Sequence, residues 1–195
     1  MVNFLLSIDH FLAEYFYNYF SVNLGQSDFL VLLAKWLIFL IPLLLLLLWF
    51  YKKNYQNLLR ATFSGLFGWM IINRFISYFF YRPRPFSESL LGKKEFLFHR
   101  PDYSFPSDHA TFLSGITFSF LLFKEKKLFI IFLAVTILIS LSRFLVGVHY
   151  LSDILAGWLV GLISAFIVKS IDDLFEKYLY SHIIWVYKMI FRFIE

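Results

Sequence analysis

WLIFLIPLLLLLLWF, residues 36–50, carries no charge and only one helix-perturbing residue, Pro42. Extended to residues 29–51, this run is long enough to cross the ~30 Å hydrocarbon core of a bilayer as a helix. The rest of the chain has the same character. Its 195 residues are 60% hydrophobic, 23% aromatic and 16% charged, too apolar for a soluble domain of this size, which indicates one membrane domain. The net charge of +5 does not indicate a nucleic-acid partner, because Lys and Arg fall in short clusters between apolar runs and form no basic face. With Cys 0, disulfides, thiolate nucleophiles and cysteine-ligated metals are excluded.

Further apolar runs predict spans over about 58–81, 107–123, 128–146 and 150–169, giving five with the first. In residues 1–20, Phe4, Leu5, Ile8, Phe11, Leu12, Tyr15, Phe16 and Phe20 recur at helical spacing against Asp9, His10 and Glu14. That pattern suits an amphipathic helix lying in the interface, with a sixth crossing as the alternative. The segment lacks the basic start and small-residue cleavage site of a signal peptide, so no removal is expected. Beyond Lys169, aromatic residues alternate with Asp172, Asp173, Glu176, Lys177, Lys188 and Arg192, as in a second surface helix. The expected architecture is an all-α integral membrane bundle of five to six transmembrane helices with an amphipathic N-terminal helix. It forms a single domain over 1–195: an N-terminal segment (1–27), a transmembrane core (28–170) and a cytoplasmic tail (171–195).

Orientation follows from the basic turns. Lys52, Lys53 and Arg60 flank one, Lys124, Lys126 and Lys127 fill another, and Lys169 and Lys177 follow the last span. These are cytoplasmic by the positive-inside rule. The segments 82–106 and 146–150 then face outward, and they border all the ionisable groups that stand out at membrane edges. Such groups are costly there and usually functional.

His149 and Asp153 are four residues apart at the start of the fifth span, on one helix face. A carboxylate so placed accepts a hydrogen bond from Nδ1 of the imidazole, fixes its tautomer and leaves Nε2 to attack. The chemistry these residues suggest is phosphoryl transfer through a histidine. A lone histidine at a membrane end is ordinarily an interfacial side chain, but Arg143, across a short turn and able to meet the same phosphate, favours the functional reading. His109 follows Pro106, Ser107 and Asp108 and opens an apolar helix whose first-turn amides suit an anion. Its expected role is to protonate a leaving oxygen and then activate water. Ser107 and Asp108 also read as plain helix caps.

Arg82-Pro83-Arg84-Pro85 ends the second span, with planar guanidinium forks that match phosphate oxygens; arginines at that depth otherwise contact lipid headgroups. Asn73, Arg74 and Lys35 lie inside predicted spans, where polar groups face the bundle or snorkel. Lys35, near the outer end of its span, is expected to snorkel, and Arg74 to point toward the site.

Taken in order, these elements resemble the signature of the type-2 phosphatidic acid phosphatase superfamily of membrane lipid phosphatases. Its last motif, Ser-Arg-x5-His-x3-Asp, is matched by Ser142, Arg143, His149 and Asp153 at every defined position. The middle motif, Pro-Ser-Gly-His, is matched by Pro106, Ser107 and His109, with Asp108 for Gly. In the first, Lys-x6-Arg-Pro, Arg84 and Pro85 match, but Ser77 occupies the lysine position. Arg74, one turn earlier, is the expected substitute. The resemblance covers about residues 73–153 and implies metal-independent, cofactor-free removal of a terminal phosphate through a phosphohistidine on His149. His109 would be the acid, Asp153 the support, and Arg84, Arg143 and Ser107 the phosphate ligands; Arg74, as the substitute for the lysine, and Arg82, through its guanidinium fork, are expected to bind phosphate beside them. The Ser-Phe-Pro-Ser-Asp-His-Ala-Thr and Arg-Pro-Arg-Pro-Phe forms and the small size look most like the bacterial undecaprenyl-diphosphatase branch, which works on the outer face of the cytoplasmic (inner) membrane.

Three other readings stand beside this one. The substrate class also admits phosphatidylglycerol phosphate, phosphatidic acid and lipid A phosphates, because arginines read phosphate and not the tail. A metal hydrolase built on His99, Asp102, Asp108, His109, His149 and Asp153 lacks compact ligand spacing. A lipid-phosphate transporter or binding protein is the non-enzyme alternative.

Overall fold

The computed structural model describes residues 2–22, 24–52, 54–85 and 103–191. Lys53, His99, Asp102 and Arg192 lie outside the described residues, as do the side chains of Phe4, Leu5, Phe20 and Lys52. The described chain is all helical. Helix α1 (Val2–Val22) precedes α2 (Leu24–Trp36), which runs through a 3-10 turn (Leu37–Phe39) into α3 (Leu40–Lys52). Helix α4 (Tyr55–Phe67) continues through a π-helical stretch (Gly68–Asn73) into α5 (Arg74–Phe79), and is followed by α6 (Asp108–Leu122), α7 (Lys126–Leu145) and α8 (Leu151–Ser170). A short α9 (Asp172–Phe175), a second π-helical stretch (Glu176–Tyr180) and α10 (Ser181–Ile190) form the tail.

Among the described residues, three helical segments are long and apolar enough to cross a membrane: Phe29–Tyr51, Lys126–Leu145 and Leu151–Ser170. Their outer faces carry exposed Leu46, Leu47, Ile130, Leu138, Leu155 and Phe166, the surface that lipid chains cover. Helix α6, with 15 residues, is shorter than the span expected over 107–123. It lies at the centre, packed between α4, α7 and α8.

Inside a bilayer the hydrophobic effect gives helices little reason to associate, so close packing of small residues and interhelical hydrogen bonds must do it. Both are present. A Cβ at Gly161 of α8 would fall 2.5 Å from the amide N of Gly115 and 2.7 Å from the carbonyl of Thr111, so α6 and α8 meet backbone to backbone. Thr117 and Thr136 share a 2.8 Å hydrogen bond between α6 and α7, and Ser164 donates to the carbonyl of Ser64 on α4 at 2.6 Å. The apolar core divides into a lower cluster, including Ile41, Leu113, Phe120 and Phe132, an upper one of Ala13, Ala110, Phe144, Tyr150 and Ile154, and a small third one of Ala34, Val146 and Val148.

Helix α1 packs differently from expectation. Asp9, Ala13 and Tyr17, four residues apart in turn, form its buried face, whereas Ile8, Phe11 and Tyr15 are exposed. Asp9, expected with the solvated polar residues, is therefore directed into the protein. Tyr17 presses on Gly147, in the turn joining α7 to α8: a Cβ there would meet the tyrosine ring at 2.6 Å, and its φ of +73° favours glycine independently.

Candidate active site

Three helix ends and one connection converge at the upper end of the bundle. The C-terminal turn of α7 supplies Arg143, the α7–α8 turn and the start of α8 supply His149 and Asp153, and the N-terminus of α6 supplies Ser107 and His109. The stretch after α5 supplies Arg82 and Arg84. Helix α5 ends at Phe79, and Pro83 and Pro85, which cannot continue a helical ladder, lie in the non-helical stretch after it.

His149 is 2% exposed and its surroundings fix its tautomer. Nδ1 lies 2.9 Å from the carbonyl oxygen of Ser104, and Nε2 lies 3.3 Å from Nη1 of Arg84. A carbonyl only accepts and a guanidinium only donates, so Nδ1 bears the proton and Nε2 the lone pair. The orienting hydrogen bond expected from Asp153 is thus made by Ser104; the Asp153 carboxylate stands 3.7 Å from Nδ1. The i, i+4 spacing does bring the two together, but Asp153 also caps α8. Its Oδ2 accepts the backbone N–H of Tyr150 at 2.9 Å, and Oδ1 accepts Arg82 Nη1 at 2.9 Å. Capping holds the carboxylate slightly short of the ring.

Arg143, 1% exposed, reaches His109: its Nη1 is 3.5 Å from His109 Nε2 and donates to the carbonyl of Ala34 at 3.0 Å. Arg84 is likewise buried and also donates to the carbonyl of Val148 at 3.3 Å. Two buried guanidiniums thus each meet a histidine. Guanidinium forks so placed match the oxygens of a multiply charged anion. Ser107 is the N-cap of α6, yet its side chain makes no capping bond, and its buried Oγ has no hydrogen-bond partner among the described residues. Its amide donates to the carbonyl of Asp153 at 3.1 Å, which ties the start of α6 to α8.

Arg82 and Arg74, both expected to hold phosphate, are each paired with carboxylates: Asp9 and Asp153 for the first, Asp108 for the second. Arg82 inserts between Asp153 and Asp9, donating to the latter through Nη2 at 2.8 Å, and its guanidinium lies 3.7 Å from the Tyr150 ring centroid. Arg74 is exposed and pairs with Asp108 at 3.5 Å. Ser77, at the family's lysine position, is buried and turns its hydroxyl back to the carbonyl of Asn73 at 2.7 Å. Asn73 holds the start of α6 from the π-helical stretch: it donates to Asp108 at 2.6 Å and to the Pro106 carbonyl at 3.1 Å, and accepts from Thr111 at 3.0 Å. Beside Asp108 and His109, a cavity of about 420 Å³ opens between the 3-10 turn, α3, α4 and α6, with Phe39, Pro42, Trp69 and Phe112 among its walls. Among the described residues no three His, Asp or Glu gather as a metal-binding group.

Asp9 and Ser104 were not foreseen. Ser104 acts through its backbone, which leaves no mark in residue type. Asp9 had a signal, an acid at helical spacing from Ala13 and Tyr17.

Known proteins share both the fold and the motif region. The chain is 28% identical over 158 residues to undecaprenyl-diphosphatase BcrC of Bacillus subtilis, covering 80% of each. It is 29% identical over 153 residues to phosphatidylglycerophosphatase B of the same organism, covering 72% of this chain and 71% of that one. The crystal structure of a transmembrane PAP2-type phosphatidylglycerolphosphate phosphatase from Bacillus subtilis superposes with a TM-score of 0.60 at 24% identity, covering 90% of both chains. Residues 58–175, which contain both histidines and all the arginines around them, match the PAP2 superfamily, and this membrane protein belongs to that family of lipid phosphatases.

Proposed function

We propose that the protein hydrolyses undecaprenyl diphosphate to undecaprenyl phosphate on the extracytoplasmic face of the bacterial cytoplasmic membrane, without a metal, through a phosphohistidine on His149. The observation that carries this reading is the state of His149. It is buried, with Nδ1 hydrogen-bonded to a carbonyl and the Nε2 lone pair beside Arg84. Nε2 attacks the terminal phosphorus while the bond to the bridging oxygen breaks, and His109 gives that oxygen its proton. Water, deprotonated by His109, then attacks the phosphohistidine and releases inorganic phosphate. Arg84, Arg143 and the Ser107 hydroxyl hold the phosphoryl oxygens as charge shifts in the transition state. Asp153 stabilises the positive charge the His149 ring acquires on attack.

A lipid substrate is supported by the cavity beside His109. Its volume lies within the ~300–1,000 Å³ of ligand sites, and its apolar walls suit the first carbons of a chain whose remainder stays in the bilayer. The outward placement of the site, read from the basic turns, matches where a polyprenyl diphosphate is released.

Phosphate release by the purified protein from undecaprenyl diphosphate, phosphatidylglycerol phosphate and phosphatidic acid, with and without chelator, tests this reading. The first lipid is expected to be preferred, chelator to have no effect, and His149→Ala to lose at least about a thousandfold. Turnover surviving His149→Ala would sink the phosphohistidine. Loss with chelator alone would restore the metal reading, and equal release from all three lipids would remove the substrate assignment.

A further inference from the structure

Asp9 is buried on α1, far from the motif residues in sequence, yet it ends a short chain of contacts that leads to His149. Its Oδ1 accepts the amide of Ser152 at 3.1 Å, and its Oδ2 accepts both the Ser152 hydroxyl and Arg82 Nη2, the latter at 2.8 Å. The other terminal nitrogen of Arg82 donates to Asp153 Oδ1 at 2.9 Å. The backbone of Arg82 is engaged as well: its carbonyl accepts the amide of Ser104 at 2.8 Å, and the Ser104 carbonyl is the acceptor for His149 Nδ1. Arg82 therefore touches both groups that face the protonated nitrogen of His149, through its side chain on one route and its main chain on the other.

The charges matter as much as the contacts. Two carboxylates, Asp9 and Asp153, flank one guanidinium, so the trio carries a net negative charge. When Nε2 of His149 bonds to phosphorus, its ring becomes positive, and Asp153 Oδ2 is the carboxylate oxygen facing it at 3.7 Å. Without the Asp9 charge, Arg82 would be compensated by Asp153 alone, and the trio would be neutral where the imidazolium forms. In so buried a place, where Asp153 has no exposed surface and Asp9 is only 6% exposed, solvent screens such a change weakly.

On this basis we infer that Asp9 is a positioning residue for the phosphatase reaction: it neutralises Arg82, so that the charge of Asp153 is available to His149. This rests on the phosphohistidine reading above. It assigns α1 a part in the chemistry that the motif region does not contain.

The test uses the full-length protein in detergent with undecaprenyl diphosphate, measuring kcat and KM separately together with the melting temperature. Asp9→Asn keeps the size and removes the charge. It is expected to lower kcat about tenfold, leave KM within about twofold and slow phosphoenzyme formation in a single turnover. Tyr17→Leu loosens the docking of α1 on Gly147 without touching Asp9, and should lower the melting temperature while kcat stays within about twofold. Asp9→Glu keeps the charge and should retain at least about a third of kcat; it also serves if Asp9→Asn cannot be purified. The inference is overturned if Asp9→Asn keeps its kcat, if Tyr17→Leu lowers kcat as far as Asp9→Asn does, or if Asp9→Glu is as impaired as removal of the charge. An inactive wild type, or one indifferent to His149→Ala, overturns the phosphatase reading instead.

Discussion

Arg82 and Arg84 flank a single proline and face different neighbours: Arg82 lies between two carboxylates, Arg84 beside the Nε2 of His149. Ser107 separates activity from stability in a way few positions allow. Its hydroxyl makes no hydrogen bond among the described residues, so Ser107→Ala removes none of the hydrogen bonds described there. In the proposed complex it gives up a bond to a charged phosphoryl oxygen, worth about 1.5–3 kcal/mol. A fall in kcat/KM of roughly ten- to a hundredfold is expected with an unchanged melting temperature. A parallel loss of both would assign Ser107 to the fold. Arg74→Ala is expected to raise KM severalfold if Arg74 replaces the family's lysine, and Arg84→Ala to abolish turnover. Full activity in the former beside none in the latter would leave Arg74 paired only with Asp108. His109, Arg143, His149 and Asp153 were legible as candidates because they match the family's motifs, and the structure brings them to one end of the bundle. Residue types alone do not distinguish Arg82 from Arg84, nor reveal a backbone acceptor such as that of Ser104.

At the level of elements, the crossing of α6 and α8 sets the relative positions of the two histidines. Gly161 leaves no room for a side chain against Thr111 and Gly115. Gly161→Ala should therefore push the helices apart, costing about 1–3 kcal/mol through overpacking, and displace Ser107 and His109 from His149. Reduced melting temperature and activity together are the expected result; an unaltered protein would show that the crossing adapts. The helices themselves were largely visible in the sequence, since apolar runs bounded by Lys or Pro mark α7, α8 and the long segment ending at Tyr51. Two features were not. The π-helical stretch Gly68–Asn73 turns Asn73 toward Pro106 and Asp108, partners a local pattern cannot contain. Helix α1 buries Asp9, because the partners that offset its charge lie on α8 and beside Pro83.

For the molecule as a whole, the distribution of charge predicts a direction across the membrane. The chain has no cysteine, which makes single introduced thiols clean reporters. Tyr103→Cys should react with an impermeant maleimide on intact cells, whereas Lys126→Cys should react only after the membrane is opened. The reverse pattern would place the site inside and remove the argument for an externally released substrate.

The contact between Asp9 and Ser152 joins positions 143 residues apart. A ribosome adding about 5–20 residues per second therefore delivers the two partners roughly seven to thirty seconds apart. Until the last span emerges, Asp9 has neither Ser152 nor Asp153 beside it, and the trio that serves His149 does not exist. On the proposed mechanism the nascent chain therefore passes through the insertion machinery without hydrolytic competence, and activity begins only when α1 and the start of α8 meet.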